Sequence, residues 1–476
     1  MRTFLKEIDE NKINGEIIAK IIEKHKPIRE KCLLLYERYK ASVGGVPILS
    51  RRPAEYRDFE TDTIKRLDDK VNNRLNNAFD AEIVDTKIGY MLGSPISYEP
   101  DEGAKVNESM KQALADFVVR NNVSDKDAEL GKKAAICGYA ARLAYIDPEG
   151  NERIMNIDPW EAVFLTETDY TEPKYALRYF FVDEDTLQAE FYDRKKYYIF
   201  QSKNNNGVFT AGKSDVHTFD FCPLFGFPNN EEMMADAEKV FTLIDAYDRT
   251  LSDANNEIEQ FRLAYLVVSG AGVDDEELQE ANRRSLLELP DDTSAEYLTK
   301  DVNDTMIENH LDRLEENILR FSKSVNFSDE AFGGNLSGIA MRFKLMALEN
   351  KCIATERKMT AALRYQFKVI CSAWAKRNIC SPDDYLSVWF GFTRNLPANL
   401  LDEAQTTAQL KGFVSEKTRL SLLSFVDDVD YEMEQMDEDS AGTVDLDQTG
   451  GDSSGQTQEN SGGVAKTAGK DFEGKR

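Results

Sequence analysis

The sequence predicts a mainly α-helical protein with a β-rich subdomain, an α+β fold that spends much of its length on elongated helices. Three patterns support this prediction. Residues 339–378 contain neither Gly nor Pro, and their apolar side chains keep helical spacing as one stripe: Ile339, Phe343, Met346, Ile353, Leu363, Phe367, Ile370 and Trp374. Residues 234–262 and 305–323 place apolar side chains at alternating three- and four-residue steps, as coiled coils do. Residues 138–226 instead alternate apolar and polar side chains, which is typical of strands.

Composition excludes several classes of protein. The chain has 476 residues, enough for two to four structural units, and a formal net charge of −27. A sequence-specific DNA binder normally carries a basic face, so we expect any contact with nucleic acid to be local. The six cysteines form no CxxC pair, which favours reduced thiols and a cytoplasmic setting. Neither a signal-peptide pattern nor an apolar run of about 20 residues occurs, so we expect no contact with a membrane.

The elements before the β-rich region are predicted to be helical. One helix surrounds the isoleucines at 17–22, a second begins at Pro27 and runs to Tyr39, and a third spans residues 60–80. A further helix ends at Gly93 and passes through Pro95 into a strand. Residues 107–121 and 125–135 continue the helical pattern.

One motif in the β-rich region resembles a phosphate-binding loop. Residues 207–214, GVFTAGKS, satisfy GxxxxGK[ST] and would place Gly212, Lys213 and Ser214 at a nucleotide. That chemistry requires a buried strand before the loop and a helix after it. Here a polar turn precedes the motif and an alternating, Pro-containing stretch follows it, which favours a β-hairpin. No other motif nominates a catalytic residue, a metal ligand or a cofactor, and a nucleotide hydrolase is the less favoured alternative.

The two coiled-coil-like helices are predicted to pack through their apolar positions. These positions are Val240, Ile244, Tyr247, Leu251, Ile258, Leu311, Leu314 and Ile318. The intervening insert begins with a strand and is acidic beyond residue 271. The charged residues that we single out there are Asp274, Asp275, Glu276, Glu277, Arg283 and Arg284.

The long helix at 339–378 is basic in an acidic chain and follows a loop that contains Gly333-Gly334. Nine Lys or Arg residues oppose only Glu349 and Glu356 within it. These cations either neutralise acidic neighbours in the same chain or contact other subunits or a polyanion. A strand ending at Pro397, a helical stretch at 398–436 and a Gly- and Ser-rich tail that we expect to be disordered complete the chain.

Four blocks of sequence, in their order and spacing, resemble the portal proteins of tailed bacteriophages of the SPP1-like type. The similarity covers about residues 60–439. The first block contains a Tyr-x-x-Gly-x-Pro turn, here Tyr90, Gly93 and Pro95. The blocks are NNRLNNAFDAEIVDTKIGYMLGSPISYE, GYAARLAYIDPEGNERIMNIDPWEAVFL, FPNNEEMMADAEKVFTLIDAYDRTLSDANNEIEQFRLAYLVVSG and LSGIAMRFKLMALENKCIATERK.

The resemblance implies a portal fold that assembles as a ring, commonly a dodecamer, around a central channel. It divides the chain into a wing (1–233, with the β-rich unit 138–226), stem helices (234–262 and 305–323), a clip (263–304), a tunnel loop (324–337), a long wing helix with a returning strand (338–397), a crown (398–438) and a tail (439–476). It implies that the charged insert residues named above, including Arg283 and Arg284, dock the packaging motor. It also implies DNA-facing residues in the tunnel loop, namely Asn326, Phe327, Asp329, Glu330, Phe332, Gly333, Gly334 and Asn335.

The implied partners are other copies of the chain, double-stranded DNA, the terminase large subunit, the major capsid and scaffolding proteins, and a head-completion or adaptor protein. The implied location is the virion, with host cytoplasm during assembly. ATP hydrolysis would come from the separate terminase, so the chain itself would not be an enzyme. An acidic bore would repel DNA phosphates and let the duplex slide. A coiled-coil scaffold or adaptor without a DNA channel is the alternative of a different class.

Overall fold

A computed structural model describes most of the chain. The described residues are 2–53, 55–58, 63–66, 71–100, 107–166, 171–204, 206–261, 265–269, 294–298, 304–326, 338–395, 400–423, 425–426 and 429–444. The chain divides into two compact units, Met1–Asn395 and Leu396–Arg476. Within the described ranges, no helix combines the length and the apolarity needed to cross a bilayer.

The first unit opens with two helices, α1 (Arg2–Asn11) and α2 (Gly15–Tyr39). Asn14 caps α2, because its side chain accepts a hydrogen bond from the backbone N–H of Ile17 at 3.0 Å. The prediction that a new helix begins at Pro27 was wrong, since α2 runs through this residue. Proline removes one helical hydrogen bond, but α2 buries apolar side chains on both sides of it, including Ile21 and Leu35.

The described residues between 60 and 78 do not form the predicted helix. Strands β1 (Glu55–Asp58) and β2 (Thr63–Arg66) pair as an antiparallel hairpin, and residues 71–78 contain neither helix nor strand. Helix α3 (Phe79–Leu92) begins only after Ala78, which has a φ of 50°. The prediction failed because the backbone of 71–78 finds hydrogen-bond partners on a distant helix, described below.

A short strand and two helices follow, namely β3 (Ser97–Pro100), α4 (Glu108–Asn121) and α5 (Val123–Cys137). The two helices confirm the predictions for 107–121 and 125–135. Gly138 ends α5 with a φ of 87°, and a Cβ there would lie 2.2 Å from the carbonyl oxygen of Met233. Only glycine satisfies both the left-handed backbone and this close approach.

The β-rich region is confirmed as two antiparallel sheets. Its strands are β4 (Tyr139–Ile146), β5 (Glu152–Ile157), β6 (Ala162–Leu165), β7 (Tyr175–Phe181), β8 (Thr186–Tyr192), β9 (Lys196–Lys203), β10 (Thr210–Val216) and β11 (Leu224–Pro228). One sheet has the order β11-β4-β5 and the other the order β10-β9-β8-β7-β6. Apolar residues of α1 and α2 pack on the five-stranded sheet, and those of α2, α3 and α5 also pack near the smaller one.

Three long helices follow the sheets. They are α6 (Phe241–Phe261), α7 (Asp304–Ser322) and α8 (Gly338–Lys376). Between α6 and α7, β12 (Tyr265–Ser269) pairs with β13 (Ser294–Leu298), which confirms a strand at the start of the insert. Helix α6 begins at Phe241 after a 3-10 turn at 238–240, later than the predicted start at residue 234. The side chain of Asn230 holds the preceding loop, because it bonds the backbone N–H and C=O of Met234 at 2.9 and 2.8 Å.

Helix α8 has 39 residues and is about 58 Å long, as predicted. Its C-terminal half lies in the largest apolar cluster, where Phe367 and Trp374 meet Phe117 of α4. In its N-terminal half the predicted apolar stripe was wrong. Phe343 and Met346 are 71% and 55% exposed, whereas residues one or two positions along the chain, such as Leu345 and Leu348, are buried.

The unit closes with a 3-10 turn at 384–387 and strand β14 (Val388–Gly391), which pairs antiparallel with β3. The strand is thus shorter than the predicted one that ends at Pro397. Glu349 and Glu356 of α8 both bind Arg394, at 2.9 and 2.7 Å. This pairing fixes the chain after β14 against the long helix.

The second unit contains α9 (Leu400–Gln409), α10 (Glu416–Leu420) and α11 (Val429–Val444). The continuous helical stretch predicted for 398–436 is interrupted, because Gly412 adopts a φ of 87° and Ser415 caps α10. Helix α11 continues to Val444, past residue 439, where the predicted tail begins. Residues 445–476 lie outside the described residues.

Candidate functional site

The phosphate-loop motif is a hairpin in the structure. Residues Thr210–Val216 form β10, which pairs with β9 and is exposed along its whole length. The Lys213 ammonium lies 3.2 Å from the Asp215 carboxylate on the same strand. No helix N-terminus follows the motif to hold phosphates. The predicted hairpin is confirmed.

Helices α6 and α7 bury part of their predicted packing residues inside the chain. Val240, Ile244 and Ile318 are fully buried in a cluster with Phe79 and Ile83 of α3, and Leu314 of α7 is 7% exposed. Tyr247 packs edge to face on Phe79 with ring centroids 5.1 Å apart. Leu251 and Leu311 are half-buried. Ile258, in contrast, is 62% exposed, so the apolar seam is covered near α3 and open further along α6.

A ladder of polar side chains on α6 binds the segment 71–78. Asn256, Ser252 and Asp248 accept hydrogen bonds from the backbone N–H groups of Asn73, Leu75 and Asn77, at 2.7, 3.0 and 3.1 Å. All three acceptors are buried. We call these three residues of α6 the polar ladder.

The polar ladder forms because the repeat distance along the extended segment 71–78 is close to that along helix α6. Every second residue of an extended chain advances about 6.7 Å, and every fourth residue of a helix advances about 6.0 Å. Residues 73, 75 and 77 therefore meet residues 256, 252 and 248 in antiparallel order. The sequence signal was a polar i, i+4, i+8 stripe beside the apolar seam, and sequence reasoning missed it.

Arg38 of α2 fixes the start of α6. Its guanidinium bonds Asp80 at 3.2 Å and Asp245 at 2.9 Å, and it lies 4.1 Å from the centroid of the Phe241 ring. Burial raises the pKa of Asp80, although Arg38 opposes that shift. One buried cation thus holds α2, α3 and α6 together.

A second buried charge cluster joins α3, α8 and the loop before α6. The Asp236 carboxylate lies 3.0 Å from the Lys87 ammonium and 3.3 Å from the Lys351 ammonium. Asn229 accepts from Lys87 at 2.7 Å and donates to Asp236 at 3.1 Å. Lys351 also donates to the carbonyl of Ser322, at the C-terminus of α7, at 2.9 Å. We call Lys87, Asn229, Asp236 and Lys351 the junction cluster.

The electrostatics of the junction cluster favour a charged Asp236. Burial alone would raise its pKa, but Lys87 and Lys351 outweigh burial and hold the pKa below its ordinary value. Burial lowers the pKa of Lys351, against the attraction of Asp236. The cluster therefore depends on all of its charges being present together. Sequence reasoning missed it, because its members are distant in the chain.

Five of the nine cations at 339–378 neutralise acidic neighbours within the chain, as the first of the two hypotheses predicted. Besides Lys351, Lys368 pairs with Glu172 and Lys376 with Asp220, each at 2.9 Å. Two further ion pairs are Lys358–Glu231 and Arg377–Glu152.

Three arginines of α8 differ from these. Arg342, Arg357 and Arg364 are exposed, and the described part of the chain gives them no ion-pair partner. At about 100° per residue they lie within about 60° of one another around the helix. The second hypothesis, a contact with another subunit or a polyanion, stays a prediction for this face.

Large apolar side chains are exposed on the same helices. Phe343 and Met346 of α8 are 71% and 55% exposed, and Phe321 of α7 is 56% exposed. Ala347, Ala354 and Ala361 repeat at seven-residue spacing on the exposed surface of α8. Exposed apolar residues that cluster on long helices are typical of surfaces that another protein covers.

Helices α6 and α7 are also acidic, although Asp248 is buried and Asp245 binds Arg38. Together the two helices carry ten Asp or Glu residues and three Arg residues. The acidic side chains are Asp245, Asp248, Asp253, Glu257, Glu259, Asp304, Glu308, Asp312, Glu315 and Glu316. An anion that approached this pair of helices would be repelled.

Only one of the predicted DNA-facing residues is described. Asn326 follows α7, and its side-chain amide donates to Glu315 at 3.4 Å. The others, Phe327, Asp329, Glu330, Phe332, Gly333, Gly334 and Asn335, lie outside the described residues. The same is true of the insert residues Asp274, Asp275, Glu276, Glu277, Arg283 and Arg284. The structure does locate both ends of the predicted tunnel loop, at the C-terminus of α7 and the N-terminus of α8.

Comparison with known proteins gives a consistent family match. The family model for phage portal proteins of the SPP1 Gp6-like type matches residues 18–445. The chain is 24% identical to the portal protein of Bacillus phage SPP1 over 487 residues, which covers 95% of this chain and 93% of that protein. It is also 24% identical to the portal protein of Clostridium phage phiCD119 over 386 residues, which covers 75% of this chain and 83% of that protein.

Proposed function

This chain belongs to the SPP1 Gp6-like family of phage portal proteins, and we propose that its copies close into a ring around a channel for double-stranded DNA. Portal proteins of this family are structural components of the phage capsid. The ring would admit DNA during packaging and release it during ejection. The observation that carries this proposal is the apolar surface that α6, α7 and α8 leave uncovered.

Copies of the chain are the partner that suits this surface. Burying a Phe or Met side chain stabilises an assembly by about 1.5–3 kcal/mol. Phe321, Phe343 and Met346 offer such side chains. In a closed ring with head-to-tail contacts, a neighbour covers this surface in every copy. A head-to-tail dimer would leave the surface uncovered on one of its two copies. Twelve copies are the number we adopt from the family resemblance.

The acidic surface supports the channel part of the proposal. DNA carries one negative charge for about every 1.7 Å of its axis, so an acidic wall repels the duplex and does not grip it. The excess acid of α6 and α7 suits helices that line such a wall. Under the proposal these are the stem, and residues 324–337 form the loop that reaches the DNA.

The remaining segments would serve partner proteins. The insert 263–304, whose described parts are the paired strands β12 and β13, would form the clip. It would dock the terminase large subunit during packaging and a head-completion or adaptor protein afterwards. Residues 1–233 and 338–397 would form the wing, which faces the capsid and scaffolding proteins, and 398–438 the crown.

Ring formation is tested by native mass spectrometry and electron microscopy of the purified protein. We expect closed rings for the wild-type chain. The double substitution Phe343→Ser and Met346→Ser should shift the distribution towards monomers and small oligomers. Val208→Ser is the matched control, because Val208 is 63% exposed but lies in the β9–β10 hairpin. A wild-type protein that stays monomeric at every concentration would contradict the proposal.

The channel is tested separately from assembly. Deletion of residues 327–335 should leave the ring intact and impair DNA packaging or retention in particles. A scaffold or adaptor without a channel would tolerate the same deletion with no effect on DNA. The two functions therefore differ in one measurement, the DNA content of assembled particles.

A further inference from the structure

Four of the six cysteines lie in two pairs. All six are free and buried in the structure. Cys32 of α2 and Cys137 of α5 form one pair, and Cys371 of α8 and Cys380 of the following loop form the other. Cys222 and Cys352 have no cysteine neighbour among the contacts of the described residues.

The Cys32–Cys137 pair is reciprocal. The Cys137 thiol donates to the carbonyl of Cys32 at 3.7 Å, and the Cys32 thiol donates to the carbonyl of Cys137 at 4.0 Å. Each thiol also shifts the pKa of the other. Both residues are at most 2% exposed. The pair joins helices that are 105 residues apart in the chain.

The Cys371–Cys380 pair follows from the way α8 ends. Asn378 has a φ of 56°, and the N–H groups of Asn378 and Ile379 donate to the carbonyls of Ala375 and Trp374 at 3.0 and 3.1 Å. This is the hydrogen-bond pattern of a Schellman motif, which reverses the chain direction at a helix C-terminus. The reversal brings the Cys380 thiol to 3.8 Å from the carbonyl of Cys371.

We propose that Cys32–Cys137 and Cys371–Cys380 are two disulfide-forming thiol pairs, reduced when the chain folds inside a cell and oxidised once the particle meets a medium that contains small-molecule disulfides. The first bond would link α2 to α5. The second would fix the C-terminus of α8 to the loop before β14. Neither depends on ring closure, so failure of the proposed ring and failure of this inference are distinguishable.

The reaction is two thiol–disulfide exchanges. The Cys380 thiolate attacks one sulfur of the small disulfide, whose S–S bond breaks and releases one small thiolate. The Cys371 thiol then loses its proton and attacks the Cys380 sulfur of the mixed disulfide, which releases the second small thiolate. Two electrons pass from the protein to the small disulfide, and the two protons end on the released thiols.

The second pair should react before the first. Cys380 is 8% exposed, whereas Cys32 and Cys137 are 1% and 2% exposed. The neighbouring Cys371 thiol also lowers the pKa of Cys380, although burial opposes that shift, which favours Cys380 as the attacking thiolate. Within the buried pair, attack on Cys32 or Cys137 requires α2 and α5 to separate first.

The test is disulfide mapping of the full-length wild-type protein. The protein is incubated with oxidised glutathione, unfolded, alkylated with N-ethylmaleimide and digested for mass spectrometry. We expect alkylation of only Cys222 and Cys352, with crosslinked peptides for the two pairs. The Cys371–Cys380 link should form first. Retention of six alkylated thiols, or links that involve Cys222 or Cys352, would overturn the proposal.

A substitution and a stability measurement complete the test. Cys380→Ser should abolish the second link and leave Cys32–Cys137 forming at its wild-type rate, whereas Cys222→Ser should change neither. Oxidation should raise the Tm of the wild-type protein, and a phosphine reductant should reverse the increase. An unchanged Tm would refute the stabilising role of the disulfide bonds. The disulfide mapping uses the wild-type protein, so its result does not depend on whether any variant folds.

Discussion

Replacing Asp236 with Asn removes the negative charge of the junction cluster while keeping its shape. The carboxylate binds the Lys87 and Lys351 ammonium groups at 3.0 and 3.3 Å, and its side chain is 3% exposed. The substitution leaves two lysines without a counter-ion in a site where Lys87 is 1% exposed. Breaking a buried ion pair by removing one partner costs about 3–5 kcal/mol. We therefore expect Asp236→Asn to lower the free energy of unfolding by about 4 kcal/mol.

The loss is large compared with the stability of a typical domain, about 5–15 kcal/mol. It is measured by urea unfolding, followed by circular dichroism and Trp fluorescence. Glu231→Gln is the control, because the Glu231–Lys358 pair is exposed and such pairs contribute only about 0–1 kcal/mol. Lys351→Met should cost less than Asp236→Asn, since Lys87 still neutralises Asp236.

Two outcomes would refute this reasoning. If Asp236→Asn and Glu231→Gln lowered the unfolding free energy equally, water would reach the junction cluster and the charges would not be buried. If Lys351→Met cost more than Asp236→Asn, the lysine would stabilise the fold mainly through the carbonyl of Ser322 and not through the carboxylate.

Further predictions concern the polar ladder, the helix packing, pH and the rejected motif. Ser252→Val should cost about 1–3 kcal/mol and speed amide hydrogen exchange at Leu75, because it removes the acceptor of that N–H. Ile318→Ala, at a fully buried position, should lower the unfolding free energy by about 2–5 kcal/mol in urea titrations. The pKa of Asp236 is lowered in the folded state, so its stabilisation should be complete above the ordinary value of 3.8 and be lost as the pH falls through the folded pKa. Asp236→Asn should remove that part of the acid-induced loss in a pH series of Tm values. Lys213→Ala should leave the Tm unchanged, and calorimetry should detect no nucleotide binding in either protein.

The sequence was sufficient where one local period governs a whole element. Helix α8 was expected at 339–378 and occupies Gly338–Lys376, because neither Gly nor Pro interrupts its apolar spacing. Helix α7 was expected at 305–323 and occupies Asp304–Ser322 for the same reason. The alternation at 138–226 likewise predicted the strands, and the polar turn before Gly207 predicted the hairpin.

Local residue spacing predicts the wrong structure where a partner that is distant in the chain determines the conformation. Residues 71–78 take their hydrogen bonds from side chains of α6, about 170–180 residues later in the chain. The stripe chosen on α8 had the correct period and the wrong phase, since Phe343 is exposed and Leu345 is buried. Because apolar residues also stand at neighbouring positions, the sequence alone does not show which of them face the core. The partners Lys87 and Asn229 are separated by 142 residues, and no local pattern connects them.

The distribution of cations suggests how an acidic protein can present an acidic channel without losing its fold. A net charge of −27 opposes a compact state through self-repulsion. The chain places four cations of α8, and Arg377 directly after it, against carboxylates of other segments, and buries Arg38 and Lys87 beside Asp80 and Asp236. These pairs relieve repulsion around α8. On α6 and α7, Arg38 and Arg51 bind Asp245 and Asp253, but the ten acidic residues of the two helices still outnumber their three arginines. If those helices line the proposed bore, their excess negative charge repels the phosphates of DNA and lets the duplex slide. Neutralising exposed residues such as Glu308 and Asp312 should then slow DNA passage without lowering the stability of the chain.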